Sequence, residues 1–227
     1  MPTAGKVFLV REPLDLHEAA EKLEGFRRED VREEAGVELH LVTEVSDLNL
    51  AESLLTALFT FDDVVRVFHR GGVKPVPKTY VVPMAFVEQG GRTFFVALEK
   101  KRTANRVANM VSEILFGGVG GIVEVRIPPD VLKQFHLRNP EGTKVVYFED
   151  VDVPNVNKIA LYGPDLVGTS LFEEYCKRWS LWYILFKSEK HGYVVGVVRD
   201  GSVTVFSRTD WKGYLRFVVD EVLPLIQ

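Results

Sequence analysis

GGVKPVPKTYVVPMAFVEQGGRTFFVAL, residues 71–98, is the stretch whose reading decides the fold. Two runs rich in β-branched and aromatic residues, 79–87 and 93–98, flank Gln89, Gly90 and Gly91, which predicts a β-hairpin closed by a glycine turn. At the other end Gly71 and Gly72, followed by Pro75 and Pro77, disfavour both helix and central strand. A domain boundary near residue 75 is therefore expected, with a small α/β domain over 1–75 and an α+β domain over 76–227, free to pack as one unit.

Upstream the pattern predicts strand, helix, strand, helix, strand. Residues 6–11 are an apolar strand, and 14–23 carry helical spacing through Leu16, Ala19, Ala20 and Leu23. Residues 37–45 alternate as a strand, with Val37, Leu39, Leu41 and Thr43 on one face. Asp47 then suits the cap of a helix over 50–60 through Leu50, Leu54, Leu55 and Leu58, before a strand at 64–68. A small N-terminal α/β sandwich is the expected product.

Downstream, Thr103 suits the cap of a helix whose Val107, Met110, Val111, Ile114 and Leu115 form one apolar stripe. Gly117 and Gly118 should stop it, and a strand should follow at 122–127. Pro128 and Pro129 open a short helix ending near His136, residues 139–142 read as a turn, 144–148 and 158–162 as strands, and 170–179 as a helix. Strands at 182–186, 193–198 and 202–206, joined through His191-Gly192 and Asp200-Gly201, predict an antiparallel meander covered by a helix over 211–226. The predicted class is α+β (mixed α/β), a small N-terminal sandwich followed by a larger mixed-sheet domain with this meander and covering helix.

At 227 residues, 46% of them hydrophobic, the chain can bury a full core. The apolar run at 7–10 is too short for a signal peptide or a membrane span, so a cytoplasmic protein without membrane attachment is expected. Cys176 is the single cysteine, which excludes an internal disulfide and a thiolate zinc site within one chain. His17, His40, His69, His136 and His191 never occur in pairs at metal-ligand spacing. No pattern calls for a cofactor or metal. Scarce Gln, Met and Cys beside plentiful Val, Glu, Lys and Arg match the bias of proteins from hot environments.

Charge is distributed unevenly. Residues 1–63 hold 6 Lys and Arg against 15 Asp and Glu, whereas residues 64–106 hold 9 against 2. In the basic stretch Arg66, Arg70, Lys74 and Lys78 precede the hairpin, Arg92 sits at its turn, and Lys100, Lys101, Arg102 and Arg106 follow it. Phe68, Tyr80, Phe86, Phe94 and Phe95 are interleaved. Cations attract phosphates and aromatic faces stack bases, so the mixture suits nucleic acid, DNA or RNA. On the helix near Thr103, Arg102, Asn105, Arg106 and Asn109 share the face opposite the apolar stripe. Such a face can read base edges if presented to a groove, although most polar stripes of this kind are plain solvated surface.

The predicted order from residue 50, helix, three strands, helix, strand, resembles the core of the PD-(D/E)xK nuclease superfamily over about a third of the chain. That resemblance implies Mg²⁺ held by an acid on the second strand and by an acid-x-Lys motif on the third, matched here by Glu99, Lys100 and Lys101. The second strand, 80–87, has no internal acid, and only Glu88 stands at its end. Glu149, Asp150, Asp152 and Asn155 supply oxygens suited to Mg²⁺ or Ca²⁺, or to a solvated strand end. Residues 117–121, Gly-Gly-Val-Gly-Gly, follow a helix and open a strand, the reverse of a phosphate loop, and read as a helix stop.

Three functions remain open on these residues. The first is a non-catalytic nucleic-acid-binding protein using Arg66, Arg70, Lys74, Lys78, Lys100, Lys101, Arg102, Asn105, Arg106 and Asn109, with the acidic first third as a protein-partner surface. The second is a Mg²⁺-dependent nuclease-like enzyme using Glu88, Glu99 and Lys101. The third is a scaffold whose acidic and basic surfaces join copies into an oligomer.

Overall fold

A computed structural model describes residues 2–139 and 145–226. In chain order the elements are β1 (Thr3–Val10), α1 (Leu16–Leu23), β2 (Arg27–Glu34), β3 (Val37–Ala51), β4 (Leu54–His69), β5 (Gly72–Gln89), β6 (Arg92–Ala97), α2 (Lys101–Phe116), β7 (Ile122–Glu124), α3 (Pro129–Leu137), β8 (Val145–Glu149), β9 (Ile159–Tyr162), α4 (Ser170–Arg178), β10 (Ser180–Lys187), β11 (Val194–Val198), β12 (Ser202–Val205) and α5 (Trp211–Phe217). The protein is mixed α+β and dominated by antiparallel sheet. Two compact units form, one from residues 10–97 and 106–122, the other from 1–9, 98–105 and 123–227.

The first unit is a run of hairpins, β2-β3-β4-β5-β6, each strand antiparallel to the next. Its core comes from strict alternation: Leu55, Ala57, Phe59 and Phe61 of β4 are buried, with Leu39, Leu41 and Val45 of β3. This overturns the helix expected over 50–60. The period-2 row at 55, 57, 59 and 61 wins over the helical spacing of the leucines, because each member buries an apolar side chain while β-favouring Thr56 and Thr60 alternate with them. Asp47 caps nothing; it adopts a left-handed φ of 51° where the β3–β4 register shifts between Ser46 and Asn49. With a strand where the first helix was expected, the nuclease-like element order loses its first member.

Gly71 (φ 85°) turns β4 into β5, and the pairing continues without a break from His69↔Gly72 through Pro75 and Pro77 to Leu54↔Val87. The glycines and prolines thus punctuate a long hairpin. Gly90 and Gly91, at φ 61° and 72°, close the β5–β6 hairpin between Gln89 and Arg92 as expected. β2 ends the strand order and is exposed along almost its whole length.

The second unit orders its strands β1-β12-β11-β10-β8-β9. The β10, β11 and β12 meander matches the expected one, with Tyr183↔Val198 and Val197↔Val203 in register. β1 pairs with β12 (Thr3↔Val205, Lys6↔Ser202), so no separate N-terminal sandwich forms. Residues 122–127 yield only the short β7. The covering helix is composite: α5 is capped by Asp210 and continues as a π-helical turn over Val218–Val222 and a 3₁₀ turn over Leu223–Leu225. The turn expected at 139–142 falls mostly outside the described residues.

Thr103 is the third residue of α2, inside its first turn, and so is not its cap; just before the helix Glu99 accepts the Lys100 N–H at 2.8 Å. Gly117 (φ 74°) ends this helix, and the buried Ser112 hydroxyl donates to the Gly118 carbonyl (2.7 Å) and accepts the Gly121 N–H (3.0 Å). Residues 117–121 therefore form a helix stop held by one hydroxyl. No helix among the described residues is long and apolar enough to cross a membrane.

Candidate nucleic-acid interface

Four of the cations singled out in the sequence sit on one structural device. β3 pairs with β4 only as far as Thr43↔Phe61, so beyond that point residues 62–69 pair with β5 alone and form, with residues 72–79, a two-stranded arm. Register sorts its side chains. Asp63↔Lys78 and Val67↔Lys74 place Lys74 and Lys78 on one face, whereas Arg66↔Pro75 and Phe68↔Val73 lie on the other. Arg70 stands at the tip with φ 43°. Lys78 lies over the Tyr80 ring at 4.5 Å, and Tyr80 stacks on Phe61 with ring centroids 5.1 Å apart. Phe68 (73% exposed) and Val73 (60%) make an apolar pair open to solvent at the tip.

Carboxylates of the same chain hold two of the predicted cations, Arg66 of the arm and Arg106 of α2. Glu34 accepts both Nε and Nη2 of Arg66, at 3.0 and 2.8 Å. Arg106 donates to Asp63 and lays its guanidinium 4.8 Å from the centroid of Phe61. A cleft of about 390 Å³ opens beside it, lined by Arg28, Asp30, Arg32, Thr43, Asp62 and Arg106. Asp62 is occupied too, accepting the Val42 N–H (2.9 Å) and the Thr79 hydroxyl (2.6 Å). Of the α2 stripe, Asn109 and Arg102 are exposed, and Asn105 donates to Glu124 at 2.7 Å.

The second unit holds a charge network centred on residues that the sequence reading passed over. Lys6 is fully buried, its Nζ 2.5 Å from Glu124 and 3.6 Å from Asp200. Lys101, one of the predicted site residues, donates to the same Asp200 at 2.6 Å, and this bond raises its pKa. The Lys6 hydrogen bond holds Glu124 below its ordinary value. At Asp200 burial opposes ionisation, but hydrogen bonds from Lys101 and Ser202 more than offset it, and the carboxyl also stays below its usual range. Arg199, 8% exposed, donates to Glu149 at 2.5 Å. Lys100 remains exposed beside this network. Only a sheet that brings β1 beside β12 can set Lys6 against residues near 200, and no local spacing announces it.

The acidic cluster at 149–152 is divided rather than convergent. Glu149 faces Arg199, while Asp152 accepts the Trp179 indole N–H (2.7 Å) and pairs with Arg178, hydrogen bonds that lower its pKa. Asp150 and Asn155 adopt left-handed φ of 59° and 62° in the following loop. Among the described residues no group of three or more His, Cys, Asp or Glu side chains is placed to hold a metal ion. His40 bridges Glu29 and Glu38, His191 contacts Asp220, and His136 is buried against Phe172.

The ten predicted residues thus separate into an exposed set without a carboxylate partner among the described residues, Arg70, Lys74, Lys78, Lys100, Arg102 and Asn109, and a set engaged by carboxylates of the same chain, Arg66, Lys101, Asn105 and Arg106. No protein-family model matches the chain, and no curated protein matches its sequence.

Proposed function

We propose that this is a non-catalytic nucleic-acid-binding protein whose contact element is the β4–β5 arm. The observation that carries the reading is its charge: outward from Asp62 and Asp63 at its base, both engaged by neighbours, the arm has no carboxylate of its own and bears Arg70, Lys74 and Lys78 exposed, with Arg66 held by Glu34, on a ribbon unpaired on both outer edges. A two-stranded ribbon fits the major groove of a duplex, with cations along it meeting phosphates. The exposed Phe68 and Val73 at the tip supply an apolar contact for bases or for a widened groove. Acidic β2 and β3, bearing Glu29, Asp30, Glu33, Glu34, Glu38 and Glu44, repel a polyanion and so confine it to the arm.

The test is oligonucleotide binding as a function of salt. Wild type should bind at low salt and lose affinity steeply as salt rises. Converting Arg70, Lys74 and Lys78 together to alanine should flatten the slope of log K against log salt by about 2 to 3, roughly one per phosphate contact. No binding at 50 mM salt, or an unchanged slope in the variant, overturns the reading.

A further inference from the structure

The sheet of the second unit has one face packed, and on its other face stands a half-buried aromatic group, Tyr147, Trp182 and Tyr183. Val146, Phe148, Leu181 and Ile184 are buried on the packed side. On β10 the register slips between Leu181↔Phe148 and Tyr183↔Tyr147, leaving Trp182 as an extra residue. A bulge re-aims a side chain. Here Trp182 and its neighbour Tyr183 both meet Tyr147, with ring centroids 6.1 and 5.4 Å away, and lie 6.3 Å from each other. Tyr147 is directly opposite Ala160 of β9, and two residues along, Val145 is opposite Tyr162, which is 80% exposed. Gly196 keeps space for the Tyr183 ring, since a Cβ there would stand 2.4 Å from its hydroxyl.

A cleft of about 350 Å³ adjoins the aromatic group, lined by Lys101, Glu124, Arg126, Glu149, Trp182 and Arg199, among others. Its carboxylates are engaged: Glu124 by Lys6 and Asn105, Glu149 by Arg199, and Asp200 by Lys101. Arg126 is exposed, and Lys158 lies 3.5 Å from the centroid of Trp182; neither has a carboxylate partner among the described residues. The buried Nε of Arg199 also lacks an acceptor. The ring face of Trp182 is thus accessible to a group as large as an ammonium, and the charge left over around it is positive.

We infer that this face binds a segment of single-stranded nucleic acid, one base stacking on Trp182 in place of the Lys158 ammonium and a neighbouring base on Tyr162, with Lys158 and Arg126 taking phosphates. Stacking tolerates any base and needs a strand whose bases are free, which a duplex does not offer. The inference deepens the nucleic-acid reading by naming single strands as a ligand class, and it assigns them to a surface other than the arm. The unengaged cations select a polyanion over a neutral ligand that stacks on aromatic rings, such as an oligosaccharide.

The experiment compares a 12-residue oligothymidine with a duplex of the same length, in wild type, Trp182→Ala, Tyr162→Ala, the double variant Arg126→Ala/Lys158→Ala, and the arm triple variant. Trp182→Ala should weaken oligothymidine binding at least about fivefold, Tyr162→Ala and the double variant about threefold each, with duplex affinity unchanged. The three exposed positions keep the test decisive if Trp182→Ala fails to fold. Oligothymidine binding that survives the arm triple variant supports the inference. Duplex binding without oligothymidine binding, or oligothymidine binding untouched by all of these face variants, overturns it and leaves the arm reading standing. Binding of cellohexaose in preference to oligothymidine also overturns it, whereas failure of wild type to bind either nucleic acid removes both readings.

Discussion

The cations of the arm and those of the β1–β12 network are the same residue types put to opposite uses. On the arm, Arg70, Lys74 and Lys78 stand in water. In the network, Lys6 is sealed from solvent between Glu124 and Asp200, and Arg199 is nearly so against Glu149. A charge count along the chain treats the two alike. Packing separates them: buried charges are held to their partners because desolvation makes solitude costly, whereas exposed ones remain available to a ligand at almost no cost in stability.

The sharpest way to break this contrast is Lys6→Met. It fills the same space but removes the cation beside Glu124, leaving that carboxylate with Asn105 alone while Asp200 keeps Lys101, and about 2 to 3 kcal/mol should be lost in chemical denaturation. That value sits below the range for a fully buried pair because the Glu124 side chain is 46% exposed. Equal stability in the variant would mean that the network is ornamental. Acid should act on the same unit with comparable force. Burial holds His136 at a pKa of about 4, so this imidazole stays neutral in the fold and protonates first in the unfolded chain. The stability it confers is complete above pH 6.5 and drains away as pH falls towards 4, by roughly 3 kcal/mol in all. Denaturation midpoints across that window should fall in wild type and flatten in His136→Phe.

Smaller effects test the other side. Arg70→Ala, Lys74→Ala and Lys78→Ala should each leave stability within about 0.5 kcal/mol while weakening nucleic acid. Lys101→Ala is the boundary case. Its side chain is 57% exposed although it is bonded to Asp200, so the change should cost no more than about 1 kcal/mol, measured against an Asp200→Asn partner in a double-mutant cycle.

What could be read in advance was local. The β5–β6 hairpin, α1, α3, α4 and the meander announce themselves through turn residues and periods contained in a dozen positions. The misreading at 50–60 came from following the leucines, of which only Leu55 belongs to the buried row; Ala57, Phe59 and Phe61 complete that row at a period of 2. The partners of the cations were not legible at all. Glu34 lies 32 positions from Arg66, Asp63 lies 43 from Arg106, and Asp200 lies 99 from Lys101. Such pairs exist only once the strand order does. Trp182 was hidden for a different reason: alternation assigns it to the core, and a single inserted residue in the ladder reverses that.

β2, the bare outermost strand, carries its own safeguard in the reading Arg-Arg-Glu-Asp-Val-Arg-Glu-Glu. Two molecules meeting there as a symmetric antiparallel pair about Asp30 would set Asp30 against its own copy and Arg28 against Arg32. Shifted to centre on Val31, they would force Glu29 against Glu33; centred on Arg32, they oppose the two Arg32 copies and set Asp30 against Glu34. Each register of this kind carries a repulsive couple, so the charge pattern of this open sheet margin opposes symmetric pairing of two molecules edge to edge.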